Sequence, residues 1–323
     1  MSPQFVDFNA DGRLDIVAGI FDGSPHVAYG TETGFAQPVQ ILDAKGERIL
    51  LNAFWNFDTK KWDATTRCDV PQAKVPEGQC TSAVAFDWDH DGDFDLLLGD
   101  YRSGRLYRRM NEGGPREPKF ASVNLPVLAG DSPLEIKGKL ATPRLGDWDK
   151  DGVVDLVCSS IDGFVYLFRN AGRIGAPAFE APQTLIARSN RIDPEPTRPN
   201  IGLYADVADF DGDGDFDLIV GGEASWSPPH RTLTPAEAER VTWLKTELES
   251  VEAATDAIHA RIEAELTGLT EEVAEQRRAE ARTKHKSEFG ALRTKRYKLA
   301  DELDALTPGL KKAYSVWLYL NEG

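Results

Sequence analysis

The 323-residue sequence lacks the features that mark several common classes of protein. No apolar run reaches the roughly 20 residues that a membrane-spanning helix needs, so we expect no membrane span. No HExxH, GxSxG or CxxCH motif is present, which argues against a zinc protease, a serine hydrolase of the nucleophile-elbow type and a haem protein. The few histidines are scattered along the chain: His26, His90, His230, His259 and His285.

Basic residues are also scarce relative to acidic ones. The sequence has 37 lysines and arginines against 53 aspartates and glutamates, which gives a formal net charge of -16. Such a balance argues against a nucleic-acid backbone as partner, because binding that backbone requires an excess of positive charge. It is compatible with bound cations.

Only three cysteines are present. Cys68 and Cys80 bracket a polar segment that contains prolines, and a disulfide between them would stabilise the fold by about 3 kcal/mol on the chain-entropy argument. Whether the two are bonded stays open at this stage. Cys158 lies in the apolar run VVDLVCSS, and we expect it to be a buried, unreactive thiol.

What the sequence does contain is a repeat. Four segments align: DFNADGRLDIVAG from Asp7, DWDHDGDFDLLLG from Asp87, DWDKDGVVDLVCS from Asp147 and DFDGDGDFDLIVG from Asp209. Each is preceded by a short strand candidate and followed by two or three more. Four short strands in about 60 residues, repeated, are typical of a propeller blade rather than a sandwich. We therefore predict an all-β, β-propeller-type fold with four visible blades, either part of a larger propeller or one with unusual closure.

The repeated motif DxDxDGxxD is a candidate metal-binding loop. A hard cation binds six or seven oxygen ligands. The motif supplies them from side chains at positions one, three, five and nine and from the backbone carbonyl at position seven. The predicted ligands are Asp7, Asn9, Asp11, Arg13 and Asp15; Asp87, Asp89, Asp91, Asp93 and Asp95; Asp147, Asp149, Asp151, Val153 and Asp155; and Asp209, Asp211, Asp213, Asp215 and Asp217. Position six is always glycine, where a sharp turn needs a positive φ.

Calcium is the predicted ion, at about four per chain. Many flexible oxygen ligands favour calcium over magnesium, and the absence of thiol or imidazole at ligand spacing argues against zinc. An EF-hand would need a carboxylate at position twelve and flanking helices. Position twelve is instead Ala18, Leu98, Cys158 or Val220, within apolar strands.

A helical insertion interrupts the fourth repeat. Thr234, Pro235 and Glu237 form a capping box with proline at the first helical position, which predicts a helix start. Apolar residues then follow a heptad spacing up to a break at Gly268, and a second series ends before Pro308. The first series is Val241, Leu244, Leu248, Val251, Thr255, Ile258 and Ile262, and the second is His285, Phe289, Leu292, Arg296, Leu299, Leu303 and Leu306. We predict an antiparallel coiled-coil hairpin, with blades at 1–233, the hairpin at 234–307 and a final strand at 308–323.

The four loops, their glycines and the strand after each resemble the FG-GAP and VCBS repeats of integrin alpha-chain propellers and many secreted bacterial proteins. This resemblance implies calcium in a loop joining the first two strands of each blade, and an extracellular, cell-surface or periplasmic setting. The first residues, MSPQFVDFN, do not form an export signal, and we expect the sequence to be a trimmed form of an exported protein. Family propellers commonly have about seven blades, and the fourth repeat here stops before its outer strand.

Two functional hypotheses follow. The first is a non-catalytic binding, adhesion or protein-interaction module that holds a protein or carbohydrate ligand through its loops or the hairpin. Trp55, Trp62 and Trp226 lie in irregular segments where they would form ligand platforms or else cover blade edges. The second, less favoured, is the propeller portion of a polysaccharide-active enzyme, for which the polar pair His230 and Arg231 is the one cluster to inspect. No catalytic residue is predicted.

Overall fold

The computed structural model describes residues 3–63, 78–189 and 198–321. They divide into two compact units. One contains Trp226–Lys311, and the other contains the described residues before Trp226 together with the segment that starts at Lys312.

The first unit is built almost entirely of short strands. In chain order these are β1 (Gln4–Val6), β2 (Asp15–Gly19), β3 (Pro25–Ala28), β4 (Gly30–Thr31), β5 (Gly34–Phe35), β6 (Val39–Gln40), β7 (Phe54–Asn56), β8 (Lys61–Asp63), β9 (Cys80–Phe86), β10 (Asp95–Asp100), β11 (Leu106–Arg109), β12 (Leu125–Pro126), β13 (Leu128–Ala129), β14 (Ser132–Pro133), β15 (Thr142–Gly146), β16 (Asp155–Ser159), β17 (Val165–Phe168), β18 (Gln183–Ile186), β19 (Ile201–Ala208), β20 (Asp217–Trp226) and β21 (Lys311–Tyr319). Of the predicted all-β, propeller-type fold, the mostly β-sheet character is confirmed.

Each repeat forms one antiparallel sheet. Sheet 1 has the strand order β1-β2-β3-β6, sheet 2 has β9-β10-β11-β12, sheet 3 has β15-β16-β17-β18, and sheet 4 has β19-β20-β21. Strands β4-β5, β7-β8 and β13-β14 form two-stranded ribbons. Every acidic loop therefore connects the first and second strands of its sheet. Among the described residues, sheet 4 has three strands where its sister sheets have four.

The apolar core lies between successive sheets. Val27 of sheet 1 packs in one cluster with Leu98 of sheet 2, and Leu106 of sheet 2 packs in a second cluster with Leu156 of sheet 3. A third cluster joins sheets 3 and 4. The period-two alternation of each strand makes this possible, because successive side chains point to opposite faces of the sheet. Each inner sheet thus buries one face against the sheet before it and the other against the sheet after it.

Neighbouring sheets approach so closely that some positions admit no side chain. A Cβ atom built on Gly99 would lie 2.0 Å from the carbonyl oxygen of Ala141, at the entrance to sheet 3. At the same position of sheet 1, a Cβ on Gly19 would lie 2.4 Å from the backbone nitrogen of Ser82. In both places the obstacle is backbone, which has little freedom to move away.

The second unit is helical. Helices α1 (Pro235–Leu266), α2 (Glu271–Lys284) and α3 (Lys286–Leu306) follow one another. The predicted capping box is present, since the side chain of Thr234 accepts a hydrogen bond from the N–H of Glu237, and Glu237 in turn binds the N–H of Thr234. None of the helices in the described part of the chain is long and apolar enough to cross a bilayer.

The prediction of a single second helix is wrong, because the segment divides at His285. This residue has φ -93° and ψ 8°, outside the helical region, although hydrogen bonds from His285 N to Ala281 O and from Phe289 N to His285 O continue across the break. The helical residues Lys284 and Lys286 flank it.

Helix α1 packs against α3 through the predicted apolar seam. Leu244, Val251 and Leu299 form a buried cluster, whereas Arg296, which we expected in the seam, is exposed. Ion pairs join Arg240 with Glu302 and Glu247 with Lys295, so that later residues of α1 meet earlier residues of α3. The interdigitated geometry of a coiled coil stays a prediction.

We expect Gly99→Ala to destabilise the first unit by about 1–3 kcal/mol, because the added methyl group forces the backbones of two sheets apart. Gly114→Ala is the matched control: no atom lies within 4 Å of its Cβ position, and its unfolding free energy should stay within about 0.5 kcal/mol of the parent. Urea denaturation measures both. Equal effects of the two substitutions would contradict the close approach.

Candidate metal-binding loops

The aspartate at position one organises each loop by accepting backbone hydrogen bonds. In the second loop, Oδ1 of Asp87 accepts from the N–H of Asp91 at 3.1 Å, and Oδ2 accepts from the N–H of Gly92 at 3.1 Å. Asp7 accepts the equivalent bonds from the N–H groups of Asp11 and Gly12, and Asp147 accepts them from Asp151 and Gly152. In the fourth loop, Asp209 accepts from Gly214 at position six and from Gly212 at position four, in place of position five. One carboxylate therefore holds the whole turn closed, and the same carboxylate is a predicted metal ligand.

Two residues of every loop have positive φ. The glycine at position six was predicted to do so, and the angles are 89° at Gly12, 95° at Gly92, 91° at Gly152 and 90° at Gly214. Position four was not predicted: φ is 51° at Ala10, 62° at His90, 59° at Lys150 and 79° at Gly212. For a residue with a Cβ this conformation costs roughly 1–2 kcal/mol, so the surrounding hydrogen bonds must enforce it.

Three loops bring carboxylate oxygens together. Ligand atoms lie within 4.8 Å of one another in the groups Asp87, Asp89 and Asp91; Asp147, Asp149 and Asp155; and Asp209, Asp211 and Asp217. In the first loop the predicted ligand at position three is Asn9, and the Arg13 guanidinium lies 3.0 Å from Asp11. The hydrogen bond from the N–H of Arg13, and then the charge of its guanidinium, lower the pKa of Asp11.

The aspartate at position nine is the most buried member of each loop. Asp95 is 2% exposed; its Oδ2 accepts from the N–H of Trp88 at 3.0 Å, and its Oδ1 accepts from the N–H of Asn111 at 2.6 Å. Burial raises the pKa of Asp95 to about 6. The other repeats make the same pair of bonds: Asp15 to Phe8 and Gly30, Asp155 to Trp148 and Asn170, and Asp217 to Phe210 and Asn321.

The sequence did not lead us to predict the residue at the end of the third strand whose backbone N–H donates to this carboxylate. Asn111, Asn170 and Asn321 each also donate a side-chain N–H to the carbonyl oxygen at position eight of their own loop, which is Phe94, Val154 or Phe216. Gly30 takes the place in the first repeat. The signal was present, because asparagine recurs in RRMNEGG, LFRNAG and LYLNEG. In the fourth repeat the bond joins Asp217 to Asn321 across the helical insertion, which identifies β21 as the third strand of that sheet.

Basic side chains lie against several of the carboxylates. Lys150 forms an ion pair with Asp215, Arg169 forms one with Asp149, and Nδ1 of His90 lies 3.9 Å from Asp87. The hydrogen bond with Asp215 raises the pKa of Lys150. The charges of Lys150 and Arg169 offset part of the repulsion between the clustered carboxylates.

The donor set suits a hard cation. The predicted ligands of all four loops offer oxygen atoms only, and carboxylate oxygens dominate. Beside the second cluster, Oδ1 of the buried Asp93 has no hydrogen-bond partner among the described residues, and burial raises the pKa of Asp93.

The remaining predicted residues lie apart from the loops. Trp55 of β7 and Trp62 of β8 form an edge-on pair, with ring centroids 6.0 Å apart, and Trp62 is 49% exposed. Arg231 forms an ion pair with Glu237 of the capping box, which accounts for it structurally, and His230 is exposed.

The cysteines offer no reactive site in the described residues. Cys158 is fully buried, as predicted, and burial raises the pKa of its thiol. Cys80 is equally buried, and its Sγ lies 3.6 Å from the carbonyl oxygen of Ser82. Cys68 lies outside the described residues, so the pairing of Cys68 with Cys80 stays a prediction.

Two substitutions separate the scaffold role of the loop from metal binding. In chelator, Asp95→Ala should lower the unfolding free energy by about 2–4 kcal/mol, because the N–H groups of Trp88 and Asn111 lose their acceptor inside the protein. Asp89→Ala, at an exposed position of the same loop, should stay within about 0.5 kcal/mol. Chemical denaturation of both variants measures this, and equal losses would show that Asp95 is not the structural member of the loop.

Comparison with known proteins agrees with these observations. Residues 147–220 match the family model described as FG-GAP-like repeat. The match runs from the third loop, through β16, β17 and β18 of sheet 3, then through β19 and the fourth loop, into β20. No curated protein matches the chain. The resemblance seen in the sequence is therefore confirmed for this part of the chain: residues 147–220 are similar to an FG-GAP-like repeat.

Proposed function

We propose that the protein is a calcium-stabilised, propeller-type binding module that works outside the cell and holds a ligand without transforming it. The observation that carries this proposal is the recurrence, in all four repeats, of one hydrogen-bond network around an acidic loop. FG-GAP-like repeats are generally interaction modules and are typically extracellular, which supports the binding role and the location.

Calcium would be held by side chains at positions one, three, five and nine and by the carbonyl oxygen at position seven. In the second loop these are Asp87, Asp89, Asp91 and Asp95, with the carbonyl of Asp93. The ion supplies positive charge to carboxylates that otherwise repel one another. The chain supplies the geometry, because backbone N–H groups hold the carboxylates at positions one and nine in place.

A propeller arrangement is supported by the way the sheets pack. Each sheet contacts the next in chain order, through apolar faces, with its first strand close to the second strand of the preceding sheet. Serial packing of this kind suits a propeller, in which successive sheets lie side by side with their loops in equivalent positions.

The ligand surface we propose is the β7–β8 ribbon. Trp62 and Phe57 are about half exposed there, at 49% and 58%, and the Arg48 guanidinium lies 5.2 Å from the ring centroids of both Phe54 and Phe57. Aromatic faces next to a fixed cation and polar side chains suit the apolar faces and hydroxyl groups of a sugar. We therefore propose a carbohydrate ligand.

The polysaccharide-active enzyme is the alternative, and the geometry favours it less. Of the polar pair that was its candidate cluster, Arg231 is explained by the helix cap, because it binds Glu237. We assign no catalytic residue.

Calcium should raise the melting temperature and a chelator should lower it. At a calcium concentration of 100 times the dissociation constant, each site adds about 2.7 kcal/mol of stability. Magnesium at the same concentration should stabilise less, because the loops offer more oxygens than its octahedral shell takes. Asp89→Ala should reduce the calcium effect by one site. Melting curves that coincide in calcium and in chelator would exclude the metal.

Trp62→Ala should weaken carbohydrate binding at least tenfold, because loss of a stacked aromatic face removes most of the contact area. Titration of the parent protein with soluble polysaccharides of several linkage types, followed by tryptophan fluorescence, identifies the ligand class. Trp243→Ala, an exposed tryptophan of α1, is the control and should leave affinity unchanged. If no polysaccharide binds the parent, the carbohydrate assignment is wrong.

A further inference from the structure

Sheet 4 exposes a face that the other sheets bury. The position compared lies in the third strand, five residues before the residue whose N–H donates to the position-nine aspartate. It is occupied in sheets 1 to 4 by Pro25, Leu106, Val165 and Val316. Pro25 is buried, Leu106 and Val165 are 0% exposed, and Val316 is 71% exposed. In sheets 2 and 3 these side chains face the following sheet.

The space that a following sheet would fill is open in sheet 4. Gly221 occupies the position of Gly19 and Gly99, whose Cβ atoms would collide with the first strand of the next sheet. A Cβ atom built on Gly221 would have Cγ2 of Val316 as its nearest neighbour, at 3.9 Å. A groove of ≈ 780 Å³ lies here, lined by side chains that include Ile201, Tyr314 and Val316.

Sheet 1 has the complementary exposed face. The position compared here lies in the first strand, two residues before the aspartate that begins each loop. It is occupied in sheets 1 to 4 by Phe5, Ala85, Leu145 and Val207. In sheets 2, 3 and 4 these side chains pack on the preceding sheet, and Ala85 is 3% exposed. Phe5 is 59% exposed, with the ring of Phe35 at 6.0 Å.

We propose that two copies of this chain associate head to tail, with the exposed face of sheet 4 in one copy covered by the exposed face of sheet 1 in the other. A second copy carries the complementary face, because each of the three interfaces inside the chain joins the same two kinds of face. The new contact continues that series. A contact between two different surfaces of identical copies either closes into a ring or continues into an open filament.

Closure into a dimer rests on the propeller arrangement proposed above. Two copies of a chain with four such sheets bring eight sheets together, which is within the range of about 4–8 blades found in closed propellers. Two identical contacts then cover both exposed faces of each copy. The dimer would be symmetric, although each contact joins two different surfaces.

The test is the solution mass of the 323-residue chain by light scattering. We expect twice the chain mass of 35.6 kDa. Val316→Asp and Phe5→Asp should each halve the mass, because either places a charge in an apolar contact. Ile174→Asp is the matched control, with the same 59% exposure as Phe5, and should stay dimeric.

Mixing the two monomeric variants gives the sharpest outcome. The Phe5→Asp copy keeps its sheet 4 face and the Val316→Asp copy keeps its sheet 1 face, so the mixture should recover a dimer through one contact. A sheet 4 to sheet 4 dimer would ignore Phe5→Asp and would not recover on mixing. A monomeric or indefinitely associating parent, an unaffected Val316→Asp dimer or a mixture without recovery would each overturn the proposal.

Circular dichroism of the variants shows that they are folded. The increase in their melting temperature on adding calcium measures metal binding by the loops, independently of the solution mass. A failure to dimerise is therefore distinguished from a failure to bind calcium.

Discussion

A buried carboxylate ties each repeat together. The aspartate that begins the second strand accepts one N–H from the loop before it and one from the end of the third strand, as Asp95 does with Trp88 and Asn111. A single side chain thus fixes the loop and the third strand relative to the second. Because the acceptor is buried, loss of either bond leaves a polar group without a partner, which makes the arrangement hard to vary.

The same contact connects local chemistry with the long-range fold. Asp217 and Asn321 are 104 positions apart, yet they form the bond that Asp155 and Asn170 form over 15 positions. The helical insertion can therefore interrupt the fourth repeat without changing its sheet. The loop that would hold calcium and the strand that returns from the helices are parts of one hydrogen-bonded unit.

Packing between sheets follows a second constraint, the close approach at Gly19 and Gly99. Each sheet presents one apolar face forward and one backward, so a row of such sheets has an unfilled face at either end. Phe5 and Val316 are on those end faces. We propose that function divides accordingly, with the loops stabilising the fold, the β7–β8 ribbon offering a ligand surface and the end faces binding a second copy.

The sequence alone determined what depends on neighbouring residues. Loop spacing, the glycine at position six and the helix start at Thr234 follow from local backbone geometry and were predictable. The left-handed conformation at His90, the partner of Asp95, the helix break at His285 and the exposure of Val316 were not. Leu106 and Val316 are both apolar residues of equivalent strands, and only the tertiary structure shows that a following sheet covers the first and not the second. Burial depends on distant parts of the chain, whereas a turn depends on a few adjacent dihedral angles.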